Sequence, residues 1–249
     1  MQIVKPTLKT HILHALKICK YEFLMSRILI VIVCIINVIN ILFLLCDDKN
    51  TVAFFVLIFM QYFSFFVCGI AYLLSAAISF YQGVFGRQAY LTHALPISLE
   101  TIICSKILIY FLWFLVIFAS FIFAIYASAS NTYFIDYIIY SFHANNERVW
   151  NFTLHFIAFT LLTALEEIVF IFMIVALVHR KKTYTLFIGI LTYFGIKILL
   201  LIVGSVVEGF LPDRLDTNDL LALYYFGQFL LIVLFYFICH RIIKYKLSL

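Results

Sequence analysis

Residues 151–178 read NFTLHFIAFTLLTALEEIVFIFMIVALV. Within the stretch's apolar core, two charged residues stand side by side, Glu166 and Glu167. At about 1.5 Å of rise per residue, a helix of this length exceeds a hydrocarbon core of about 30 Å. The apolar positions do not alternate with polar ones, as they would on a lipid-facing barrel strand. An irregular chain would leave backbone N–H and C=O groups unpaired in lipid. The stretch therefore reads as a membrane-spanning helix that carries charge in its interior.

The rest of the chain has the same character. Of its 249 residues, 66% are hydrophobic and 12% charged, and the mean hydropathy is +1.13. Soluble domains carry about 25% charged residues. Five more apolar runs are long enough to cross, at about 28–46, 52–80, 101–129, 184–207 and 221–239. The fold class is an all-α integral membrane protein with six transmembrane helices. Residues 1–27 read as a basic amphipathic helix on the membrane surface, and 28–249 as the six-helix domain. Ile12, Leu16, Cys19 and Phe23 form the apolar stripe of the first segment, with Lys9, Lys17 and Lys20 on other faces. That segment does not have the form of a cleavable signal peptide.

Basic residues set the orientation. With the N-terminus in the cytoplasm, the inner segments hold Lys5, Lys9, Lys17, Lys20, Arg27, Arg87, Lys106, Arg180, Lys181, Lys182, Arg241, Lys244 and Lys246. The outer segments hold Lys49, Arg148 and Arg214. Both termini are then cytoplasmic. Residues 81–100 form the longest inner loop between spans, while 130–150 and 208–220 are outer segments able to form short surface helices. The net charge of +5 lies along the inner leaflet, where anionic lipids account for it, and does not point to nucleic acid. The six cysteines show neither CxxC nor metal-ligand spacing.

The run at 184–207 contains one charge, Lys197. A short loop joins it to the Glu166–Glu167 run, so the two helices should be antiparallel neighbours. Each charged position lies about 13 residues, or roughly 20 Å, from the inner end of its run. The matching depth allows Glu166 or Glu167 to pair with Lys197. Intramembrane charges are costly and are paired or face a cavity. The pair either fixes helix packing or lines a polar cargo path. An adjacent Glu-Glu pair also occurs in intramembrane proteases of the CAAX-processing type, as EExxxR with histidines on later helices. Here Ile171 stands at the Arg position, and His179 and His240 lie at the inner water boundary. No HExxH and no Ser/His/Asp arrangement is evident. No GxxxxGK[ST] occurs, so the chain has no P-loop of its own.

The inner loop carries the most specific signal, GRQAYLTHALPISLETIICSK at 86–106. Phe85, Ala89, Leu91 and Leu95 permit a short amphipathic helix, which Pro96 ends or kinks. Ser98 is an expected N-cap for the next span, with Glu100 in the first turn. Lys106 is expected to snorkel to the inner headgroups. This stretch resembles the loop of ABC-2-type exporter permeases, where a segment of the form G…L…LPIS…I…SK joins the second and third of six spans. It departs from the family where Tyr81, Gln82 and Gly83 stand in place of an acidic residue.

The resemblance implies a half-transporter without a nucleotide site or cofactor of its own. ATP and Mg²⁺ would reside in a separate ABC ATPase, present in two copies. A second permease chain would complete a homodimer or related heterodimer in the bacterial cell membrane. Arg87, Gln88, Tyr90, Leu91, Thr92 and His93 would contact the ATPase, and Pro96 would pass its motion to the next span. The cargo would be amphipathic or a peptide, such as a lantibiotic or a phenol-soluble modulin, exported by alternating access. The competing readings are a CAAX-type intramembrane enzyme and an ATP-independent immunity or scaffold protein.

Overall fold

The computed structural model describes residues 51–86, 98–130, 146–179, 185–210 and 217–247, together with Lys20, Phe23, Leu24, Val31, Ile35 and Val38. The described residues contain helices and no strand. We label the long helices α1 (Thr51–Val84), α2 (Leu99–Ser130), α3 (Asn146–Val178), α4 (Thr185–Phe210) and α5 (Thr217–Leu247). All five are long and apolar enough to cross a membrane. They match the second to sixth apolar runs. The run at 28–46 and the amphipathic segment at 1–27 fall outside the described residues, except for the six early residues named above, which are helical.

The helices extend beyond the apolar runs at several ends. α1 continues through Tyr81–Val84, so the loop expected at 81–100 begins at Phe85 rather than at 81. Asn146–Trp150 open α3, and Thr217–Leu220 open α5. The described ends of the segments at 130–150 and 208–220 thus belong to the long helices.

Local chemistry sets the helix ends on either side of the segment between α1 and α2. The N–H groups of Phe85 and Gly86 both donate to the Tyr81 carbonyl, at 2.8 Å each, and close α1. A Cβ at Gly86 would lie 2.8 Å from the Gln82 Cα, so glycine suits this close approach. At the start of α2, the Thr101 N–H donates to Ser98 Oγ at 3.3 Å, with Glu100 in the first turn. Ser98 is thus the expected N-cap.

The chain forms two compact units, Met1–Ser75 with Cys104–Thr160, and Ala76–Ile103 with Leu161–Leu249. In the first, the Tyr72 hydroxyl donates to the Tyr110 carbonyl at 2.8 Å. The Tyr110 hydroxyl donates to the Ser75 carbonyl at 3.0 Å. Further along, Phe65 meets Phe121 edge-on at 4.6 Å. Rising positions on α1 meet falling positions on α2, so the two run antiparallel. Phe23 stacks on Trp113 at 4.6 Å. Lys106 corrects the sequence expectation. It is 1% exposed, among the largest fully buried side chains, and does not extend outward.

The second unit is built around α3. Its apolar window is 61% buried, against 0% for α4 and 11% for α5. Ile168 through Ile174 are all buried. Phe80 of α1 stacks on Phe172 at 4.2 Å. Phe170 meets Tyr193 of α4 at 5.3 Å and Phe235 of α5 at 5.0 Å. Aromatic contacts thus join α3 to three neighbours. Hydroxyls on the helices bond back to their own turns, as Thr192 Oγ1 does to the Ile188 carbonyl at 2.7 Å. Such bonds satisfy a polar group without a partner from another helix.

Candidate functional site

The candidate site lies in the second unit, where α3, α4 and α5 bring polar side chains together. On α3, Thr163, Glu166, Glu167 and Phe170 follow at helical spacing and share one face. On α4, Tyr193 and Lys197 are one turn apart, and on α5 so are Tyr224 and Gln228. Each helix thus presents a short polar strip within an apolar span.

The three charges meet. Lys197 Nζ lies 3.2 Å from Glu166 Oε1 and 2.5 Å from Glu167 Oε1. The Tyr193 hydroxyl donates to Glu167 Oε2 at 3.0 Å. The ammonium also lies over the Phe170 ring, 4.9 Å from its centre. An aromatic face attracts a cation, most strongly where water is excluded. Glu166 is the more deeply buried carboxylate, with its side chain 7% exposed against 23% for Glu167 and 25% for Lys197.

A neutral network adjoins the charges. The Gln228 amide donates to the Tyr224 hydroxyl at 2.7 Å and to Thr163 Oγ1 at 3.3 Å. Tyr224 lies within electrostatic reach of Glu166 and Lys197. Gln228 is 6% exposed, so these bonds take the place of water for a buried amide. Together the two networks tie α3 to both α4 and α5 through polar contacts within apolar helices. The arrangement can hold charge, orient hydroxyls and accept protons inside an apolar bundle.

Of the residues expected from sequence, the structure brings Glu166, Glu167 and Lys197 together. Arg87, Gln88, Tyr90, Leu91, Thr92, His93 and Pro96 lie outside the described residues. Sequence reasoning missed Thr163, Tyr193, Tyr224 and Gln228. Thr163 and Tyr193 had a signal, since each precedes a charged residue by one helical turn. Tyr224 and Gln228 had none, because their run carries no interior charge to draw attention to them.

The two histidines weighed for enzyme chemistry stand elsewhere in the unit. His179 stacks on Phe85 at 4.2 Å, just past the end of α3. His240 Nε2 lies 3.6 Å from Glu100 Oε1, linking α5 to the first turn of α2. Ile171, at the position where the protease pattern has Arg, is buried. Among the described residues, no three His, Cys, Asp or Glu side chains are grouped to hold a metal. No family model matches the chain, and no curated protein or solved structure matches it significantly.

Proposed function

We propose that the chain is the membrane-spanning permease subunit of an ATP-driven ABC exporter. It moves an amphipathic or peptide cargo out of a bacterial cell by alternating access. ATP and Mg²⁺ are bound by a separate ATPase, in two copies, and a second permease chain completes the complex. The observation that carries the reading is the 86–106 stretch, whose LPIS…SK pattern resembles the ABC-2 coupling loop. The capped start of α2 at Ser98 is compatible with that pattern. The Glu166–Glu167–Lys197 cluster adds a polar patch within apolar helices, as a cargo path through lipid requires.

In this reading, Arg87, Gln88, Tyr90, Leu91, Thr92 and His93 dock on the ATPase and Pro96 transmits its motion to α2. Coexpression with a candidate ABC ATPase tests the proposal. Wild-type chain should copurify with the ATPase, and the double substitution Arg87→Ala with Tyr90→Ala should lower the recovered ATPase at least several-fold. Undiminished copurification with coupled activity intact would remove the docking role. An absence of any associated ATPase would favour the ATP-independent immunity or scaffold reading.

A further inference from the structure

The formal charges of the cluster do not balance. Glu166 and Glu167 bring two negative charges and Lys197 brings one positive. Among the described residues, the side chains in contact with the cluster are neutral: Tyr193 of α4 donates to Glu167, the Phe170 ring of α3 faces Lys197, and Thr163, Tyr224 and Gln228 form the adjoining network. All sit within apolar windows long enough to cross a membrane. An uncompensated charge is costly there, and two crowded carboxylates repel each other.

The contacts also divide the two carboxylates. Glu167 receives Lys197 on one oxygen and the Tyr193 hydroxyl on the other. Glu166 receives Lys197 at the longer distance of 3.2 Å, and it is the more deeply buried. Lys197 is its hydrogen-bond donor among the described residues. Glu167 is therefore the better-supported anion.

We propose that this cluster is a proton-binding site that takes up one proton on the Glu166 carboxyl, leaving Glu167 and Lys197 as an ion pair and the whole cluster neutral. The proton comes from water, and no other bond forms or breaks. The inference rests on the cluster's geometry alone and does not require the exporter reading.

Infrared spectroscopy tests it on the full-length chain in phosphatidylcholine nanodiscs at neutral pH. A protonated carboxyl gives a C=O band that shifts on exchange into D₂O. The wild type should show one such band. Glu166→Gln and Glu167→Gln should each abolish it, because one carboxylate then balances Lys197. Lys197→Met should raise it about twofold, since both carboxyls must then be neutral. Absence of the band in wild type, or its survival in either single glutamine variant, would overturn the proposal. The glutamine variants keep the size and hydrogen bonding of a neutral glutamic acid, so the test does not depend on Lys197→Met folding.

Discussion

The α1–α2 seam and the α3–α4–α5 cluster both place polar side chains inside apolar helices, but in different ways. In the seam, Tyr72 and Tyr110 are neutral and donate to backbone carbonyls on the facing helix. Each bond is a separate contact, and removing one hydroxyl leaves no charge behind. In the cluster, two carboxyl groups share one ammonium. Removing the ammonium leaves Glu167 without its cation. The seam reads as packing glue, whereas in the cluster each charge depends on its partner.

Lys197→Met should break the contrast most severely. Removal of one partner from a buried ion pair costs about 3–5 kcal/mol. We expect a steep fall in folded yield and in melting temperature in detergent. Unchanged yield and melting would show that the cluster bears no load. Gly86→Ala should come next, at about 1–2 kcal/mol, because the new Cβ meets the Gln82 backbone. Its effect should localise to the end of α1, visible as faster hydrogen exchange around Tyr81–Gly86. Tyr110→Phe should cost about 1 kcal/mol, the net value of one hydrogen bond, read from thermal unfolding. A loss as large as that of Lys197→Met would erase the distinction between the two regions.

The smallest effect should come from a paired change. Gln228→Leu alone removes the donor that faces Thr163 and Tyr224. Combining it with Thr163→Val removes both sides of one contact, and apolar replacement of both partners is close to neutral. The double variant should therefore melt within about 1 kcal/mol of the wild type and above Gln228→Leu. Strictly additive losses would show that the amide network does not act as a unit.

Much of this architecture could be read in the sequence because its causes are local. Length and apolarity gave the second to sixth runs, which became the five helices. Ser98 was legible as a cap because capping depends on a few adjacent residues. Glu166, Glu167 and Lys197 stood out as charges in apolar runs, and matching depth was enough to pair them. Lys106 was misread because α2 is apolar on all sides. When every face is greasy, helical periodicity cannot show which face turns inward. Gln228 was missed for a related reason: its partner Thr163 is distant in sequence, and only the packing of α5 on α3 brings them together.

ATP-driven uptake of a fluorescent amphipathic peptide into inverted membrane vesicles tests the exporter reading most directly. The vesicles would hold this chain together with the ABC ATPase proposed as its partner. The account predicts ATP-dependent uptake that disappears when this chain is omitted. It also predicts that the Arg87→Ala, Tyr90→Ala double variant loses most of that uptake while the isolated ATPase still hydrolyses ATP. Uptake that proceeds equally without this chain, or no uptake of any amphipathic peptide by a complex that hydrolyses ATP, would contradict it.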